Sequence, residues 1–239
     1  MNAIEVKAAA FNWPGMPMLF DLAAAQGDLM IVTGPSGSGK STLLNLIAGF
    51  EAAESGTILL DGLDCTQLPP SARPVSMLFQ EHNLFGHLSV EANAGLGIGP
   101  HLRFGDAEKA SIAAALRRVG LDGKAKRLPH ELSGGERQRA AFARVLLQDR
   151  QILLLDEPFA SLGPSLRTEM MALLQELQAE KRRTILAVTH HPAEWNDVAG
   201  SFVFVDNGRI TARGRMNRLD AADVPDAVRA YLGAVRERQ

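Results

Sequence analysis

Eight consecutive residues, Gly34-Pro35-Ser36-Gly37-Ser38-Gly39-Lys40-Ser41, set glycines, a lysine and a hydroxyl in the spacing G-x-x-x-x-G-K-[ST]. That spacing suits the gripping of a polyphosphate. Gly34, Gly37 and Gly39 open backbone geometries closed to residues with a Cβ, so successive N–H groups can converge on phosphate oxygens. A helix starting at the end of the loop adds the positive end of its dipole. Lys40 is then placed to reach the β- and γ-phosphates as a point charge, and the Ser41 hydroxyl to take one position around Mg²⁺. Thr42, which opens the helical run 42–49, completes this group of nucleotide-binding candidates.

A second set of residues supplies carboxylates. Ile152-Leu153-Leu154-Leu155-Asp156-Glu157 is an apolar strand ending in two acids, which a parallel sheet delivers to the same edge as the phosphate loop. Asp156 is placed to hold Mg²⁺ through water, and Glu157 to polarise an attacking water as general base. The loop alone leaves hydrolysis and phosphoryl transfer to a second substrate both open; Glu157 favours hydrolysis. In Leu132-Ser133-Gly134-Gly135-Glu136-Arg137-Gln138-Arg139, Ser133 is a helix N-cap and Glu136 completes a capping box. Gly134 and Gly135 exceed what a cap requires and bare N–H groups for a second anion.

These residues need a sheet edge and two helix starts. The runs 29–33, 75–79, 152–155, 184–188 and 202–205 are strands, several apolar almost throughout, as strands covered on both faces must be. With intervening helical periodicity they predict an α/β fold of the P-loop NTPase class with a largely parallel central sheet. The segments 4–11, 18–23 and 57–60 form a small antiparallel β subdomain, 89–148 an inserted helical subdomain and 224–235 a C-terminal helix. All 239 residues, 46% hydrophobic, are expected in a single nucleotide-binding domain with no C-terminal regulatory domain. Lysine and arginine total 25 against 27 aspartates and glutamates, a balance that disfavours nucleic acid as a partner. Cys65 stands alone, which excludes an internal disulfide or thiolate zinc cluster and fits a reducing compartment. No run reaches the ~18 apolar residues of a membrane span, so any membrane role is expected to be peripheral.

The octapeptide 132–139 resembles the signature of ATP-binding cassette (ABC) transporter ATPase subunits, and the family's other motifs follow in order: the loop 34–41, Gln80 after 75–79, Ile152–Pro158, and Thr189-His190 after 184–188. The resemblance implies a homodimer with two head-to-tail sites. In each, ATP and Mg²⁺ lie between one chain's phosphate loop and the other's Ser133, Gly134, Gly135 and Glu136. It further implies that Gln80 contacts Mg²⁺ and the attacking water, that His190 contacts the γ-phosphate, and that Trp13 stacks on adenine, with Phe11 as second choice. The implied partners are integral membrane permease subunits and, indirectly, a periplasmic substrate-binding protein, with this subunit at the cytoplasmic face of the bacterial inner membrane. Phe85 and Leu88, in the loop after Gln80, would seat a cytoplasmic helix of the permease. The stretch 68–81, Asn83-Leu84-Phe85 and Leu128-Pro129 look most like the ATPases of bacterial thiamine importers, implying thiamine and its phosphates as cargo. An ATPase for another importer, a lipid or a cell-division system, and a non-catalytic nucleotide-dependent scaffold, stay open.

Two places test the resemblance. His190, His191 and Glu194 suggest a metal site, yet adjacent side chains near a strand end point to opposite sides, so no zinc is expected there. Where the family ends Ser-Ala-Leu-Asp this chain has Gly163, losing an acid that helps the two chains communicate. Gly163 remains an adequate N-cap and Pro164 suits the first helical position, so folding survives while coupling between the sites weakens. Gly163→Asp is expected to raise the Hill coefficient of ATP hydrolysis; an unchanged ATP dependence would contradict this.

Overall fold

Alternate side chains of the central strands are buried on opposite faces of one sheet, the condition that produces their continuous apolar runs. The computed structural model describes residues 1–81, 83–219 and 224–236, without the side chains of Ala234 and Arg236. Strands β3 (Leu29–Thr33), β6 (Val75–Leu78), β7 (Ile152–Asp156), β8 (Thr184–Val188) and β9 (Ser201–Asp206) lie parallel in the order β9-β3-β8-β7-β6. Leu29, Ile31, Leu153, Leu155, Ile185, Ala187, Phe202 and Phe204 enter one hydrophobic cluster. Met30, Val32, Ile152, Leu154, Leu186, Val188, Val203 and Val205 enter the other.

The second cluster is closed by helix α1 (Lys40–Ala48) and by an antiparallel wing. In that wing β1 (Asn2–Trp13) pairs with β2 (Met16–Ala25) and with β4 (Ser55–Leu60), which carries the short β5 (Leu63–Asp64). Pro14 and Gly15 (φ 84) make the two-residue connection from β1 to β2, with Pro and Gly where a type II turn needs them. The wing is not a separate sheet. Strand β10 (Arg209–Arg215) runs antiparallel to β9 and meets β2 at one pair, Arg209 with Leu19, making a continuous sheet of ten strands. The sequence reading lacks β10 because its polar residues alternate with Ile210, Ala212 and Gly214, none of them fully buried.

The first cluster is covered by α2 (Val90–Gly95), α3 (Asp106–Arg118), α4 (Gly134–Gln148), α5 (Pro164–Lys181) and α6 (Asp226–Arg236). Helices α2, α3 and α4 all fall between β6 and β7, where a helical insertion is expected. Helix α3 starts six residues before Ile112, because Asp106 and Glu108 in its first turn favour the helix without adding to its apolar face. Helix α6 starts at Asp226 rather than at Val224, behind Pro225. Lone Cys65 is fully buried in the second cluster.

Helix α1 carries the end of the phosphate loop, and its C-terminus is held by a buried cation. Arg73 donates from one guanidinium nitrogen to the Leu46 and Ile47 carbonyls (2.7 and 2.9 Å) and from Nε to that of Leu68 (2.9 Å). The Leu46 and Ile47 carbonyls have no partner in the next helical turn, and a positive charge there is favoured by the negative end of the helix dipole. Arg73→Ala would leave them buried and unpaired, lowering stability by about 2–4 kcal/mol in urea unfolding. A loss below ~0.5 kcal/mol, typical of a surface change, would contradict this role.

Candidate active site

Because β3, β7 and β8 are parallel, their C-terminal ends share one edge, with Val32 and Asp156 both in register with Val188. The loop leaving β3 presses its backbone onto β9: a Cβ on Gly34 (φ 144) would lie 2.0 Å from the Val205 carbonyl oxygen. Gly39 (φ 104) is the left-handed N-cap of α1. Lys40 follows, 5% exposed, and its Nζ donates to the carbonyls of Gly34 (2.8 Å) and Pro35 (2.7 Å), so the ammonium is held inside its own loop. Burial lowers its pKa, while the charges of Glu157 and Asp156 push back.

The resulting cavity, about 480 Å³, brings together most of the expected residues. Ser36, Gly37, Gly39, Lys40, Ser41, Thr42, Gln80, Asp156, Glu157 and His190 line it. At its mouth stand Met16, Met18 and Trp13, whose indole N–H donates to Thr42 Oγ1 (3.2 Å). Of the two aromatic candidates, then, Trp13 faces the cavity. Phe11 meets it edge to face (5.5 Å between ring centres) and packs on the core. Gly34, Pro35 and Ser38 belong to the loop without lining the cavity; the buried Ser38 carbonyl accepts from Gly208 N–H (2.9 Å).

The two carboxylates are under electrostatic tension. Asp156 and Glu157 are 7% and 6% exposed, and Asp156 Oδ1 and Glu157 Oε1 have no hydrogen-bond partner among the described residues. Burial raises the Asp156 pKa against the opposing pull of Ser41 and Lys40. For Glu157, burial and then the neighbouring Asp156 push it up to about 7. Its backbone is in the left-handed region (φ 48), rare for a residue with a Cβ, and its N–H donates to the Val188 carbonyl (3.1 Å). His190 Nε2 lies 3.4 Å from Glu157 Oε1, and burial followed by the charge of Lys40 lowers the imidazole pKa, favouring its neutral form. A buried carboxylate with one oxygen unpartnered, beside a hydroxyl and an amide carbonyl oxygen, is an oxygen donor set suited to a hard divalent cation, so Asp156, Ser41 and Gln80 fit Mg²⁺. His191 diverges from its neighbour and faces a narrow recess with Glu194, Arg167 and Trp195.

Ser133, Gly134, Gly135 and Glu136 do not line this cavity. Ser133 Oγ accepts from Glu136 N–H (3.3 Å), and Glu136 Oε2 accepts from Ser133 N–H (2.8 Å), the reciprocal capping box. Lys124, hydrogen-bonded to Glu136, holds that carboxyl down at about 2. The two glycines differ in their surroundings. A Cβ on Gly135 would come 3.0 Å from Leu162 Cδ2, whereas on Gly134 the nearest heavy atom is 3.9 Å away. Gly135 thus permits close packing on the segment after Glu157, and Gly134 leaves the helix start open.

Sequence reasoning named the octapeptide but gave no role to Gln138 within it. Buried just over one turn into α4, Gln138 donates from Nε2 to the Glu157 carbonyl (3.1 Å) and accepts from Ser161 Oγ (2.6 Å). The helix that presents the second anion site is thereby bonded to the main chain of the candidate general base. Only the folding of α4 back over the end of β7 makes the pair visible; no spacing rule joins 138 to 157.

Raising the Glu157 pKa also makes stability depend on pH. The unfolded chain loses this proton near 4.5 and the folded chain near 7, so between those values the folded state holds more protons and stability falls as pH rises. In metal- and nucleotide-free protein, Glu157→Gln is expected to stabilise relative to wild type. The gain should grow across that window and level off above it at about 1–3 kcal/mol. A pH-independent difference in melting temperature would contradict the assignment.

The ABC transporter family profile matches residues 19–160. Over 231 residues the chain is 52% identical to the thiamine import ATP-binding protein ThiQ of Mesorhizobium japonicum, covering 97% of this chain and 91% of that one. It is 48% identical over 204 residues to the protein of the same name from Escherichia coli, covering 85% and 88% of the two chains. Among solved structures, a dimeric ATP-binding cassette in a post-hydrolysis state bound to ADP and Pi superposes with a TM-score of 0.81 at 25% identity, covering 89% of this chain and 98% of the other. A nucleotide-free cassette from an ABC transporter gives 0.83 at 22% identity, covering 98% and 96%, a likeness of fold. The profile spans the phosphate loop, the capped serine-glycine helix start and the carboxylate strand together, and the chain belongs to the ABC transporter family.

Proposed function

We propose that this chain is the ATP-hydrolysing subunit of a thiamine importer, acting as a homodimer beneath membrane-embedded permease subunits. The observation that carries the ATPase reading is Glu157, a buried carboxylate at the nucleotide edge with a pKa raised to about 7, where a general base works best near neutral pH. Thiamine as cargo rests on the near-full-length likeness to proteins named for thiamine import. Nothing in the nucleotide site selects the cargo.

Mg²⁺, held by Ser41, Gln80 and Asp156, would supply charge neutralisation on the phosphates. The loop amides of residues 36–41 and Lys40 bind and orient the triphosphate, and Trp13 offers its indole face to the base. Glu157 Oε1 takes the proton of the attacking water, with the neutral His190 imidazole beside it as a donor to the γ-phosphate. Ser133 and Gly134, turned away from their own chain's cavity, complete the partner's site. That division favours closure when ATP is bound, because the ligand binds the closed pair better than the open one.

Two exposed aromatic side chains support the docking part of this reading. Phe50 and Phe85 are about half exposed; Phe50 meets Phe79 edge to face at 5.2 Å. Fully buried Asn93 staples the 85–89 segment: its Oδ1 accepts from Phe85 N–H (2.8 Å), and its Nδ2 donates towards the Phe85, Leu88 and Ser89 carbonyls. Phe85 is therefore presented on a fixed loop, at little ordering cost to a partner. Among the described residues no helix is long and apolar enough to cross a membrane.

With ATP and Mg²⁺, Glu157→Gln is expected to accumulate as a dimer by size-exclusion chromatography with light scattering, its hydrolysis reduced by roughly 10²-fold or more. A variant that stays monomeric at saturating nucleotide, or hydrolyses like wild type, would overturn the ATPase mechanism. Loss of labelled thiamine uptake on deleting the gene, restored by the wild-type chain and not by Glu157→Gln, is the outcome expected for the cargo; unchanged uptake would overturn it.

A further inference from the structure

Tyr231 sits on α6, far along the chain from every motif, yet its hydroxyl donates to the main-chain carbonyl of His190 (3.3 Å). The same phenol oxygen interacts with the Thr33 side chain and the Gly34 main chain, where β3 passes into the phosphate loop. Thr33 is fully buried, and the phenol supplies a polar contact for its hydroxyl there. The Tyr231 ring packs edge to face on Phe204 of β9 (5.4 Å between centres) and joins the first hydrophobic cluster. Apolar packing thus fixes the ring, leaving the hydroxyl free to act as a tie.

The tie acts on a backbone already pinned elsewhere. Thr189 N–H donates to the Val32 carbonyl (3.1 Å), and His191 N–H donates to Thr189 Oγ1 (3.0 Å). Between these two anchors lies His190, whose imidazole reaches 3.4 Å from Glu157 Oε1. A shift of the His190 main chain would carry that ring with it, and the bond from Tyr231 opposes the shift. We propose that Tyr231 is a positioning residue for hydrolysis: its hydroxyl, carried by the C-terminal helix, fixes the main chain of His190 against the start of the phosphate loop. The role rests on the ATPase reading above, adding to it a residue from outside the nucleotide cavity.

Tyr231→Phe removes the hydroxyl and keeps the ring on Phe204. Steady-state ATPase of the full-length variant, wild type and Glu157→Gln, with melting temperatures for all three, separates the possibilities. The expected result is a kcat about 3- to 10-fold below wild type, the effect of one lost hydrogen bond, with KM for ATP within about 2-fold and an almost unchanged melting temperature. An unchanged kcat overturns the positioning role. So does a fall in kcat accompanied by matching changes in KM and melting temperature, which marks a merely structural residue. Wild-type protein no more active than Glu157→Gln would instead overturn the ATPase reading beneath it.

Discussion

Two adjacent carboxylates, Asp156 and Glu157, are buried at the end of an apolar strand, facing a lysine whose own hydrogen bonds are spent on loop carbonyls. In a medium less polar than water, neighbouring negative charges repel strongly and each loses hydration. The chain answers by raising the Glu157 pKa to about 7 and folding Lys40 into its own loop. Both are incomplete solutions. Bound divalent cation and triphosphate would relieve them together, giving the carboxylates a positive partner and drawing the ammonium onto phosphate oxygen. The strain in this edge is the counterpart of its proposed catalytic use, in keeping with the general exchange of stability for activity at functional sites.

The rest of the fold holds that edge rigid. Parallel register brings the ends of β3, β7 and β8 level, so the loop, the acids and His190 meet without long side-chain reach. Arg73 closes the far end of α1, and Gln138 bonds α4 to the Glu157 carbonyl and to Ser161. A displacement of Ser133 on its helix would therefore bear on the main chain of the candidate general base. That link stands where the acid at position 163 is missing, and Leu162 packed on Gly135 reinforces it.

Most of this was legible in sequence wherever a single physical rule decides the residue. Strands buried on both faces had to be apolar throughout; a phosphate nest had to be glycine-rich and precede a helix; Ser133 and Glu136 had to stand three apart to cap reciprocally. Strand β10 escaped because only a partly covered face needs its apolar residues, leaving alternating polar residues that fit a loop equally well. Phe11 and Trp13, two apart on β1, share a face by parity; only the turn at Pro14-Gly15 and the packing of Phe11 on the core decide which aromatic borders the cavity. Gln138 and Tyr231 lay beyond sequence reasoning for a different reason. Each acts through one polar atom on another residue's backbone, and such a contact leaves no periodicity or spacing to read.

The account depends on ATP being shared between chains, the cradle of one and the capped helix start of the other. Lys40→Ala should disable the first and Ser133→Arg the second, leaving either homodimer inactive. In a two-fold pair the mixed dimer carries both lesions in one site and leaves the other intact. Co-refolding or co-expressing the two inactive variants in equal amounts and measuring ATP hydrolysis is the most direct test. Activity recovered to about a quarter of wild type per chain, for random pairing, is the result predicted; a mixture as inactive as its components would contradict the shared site.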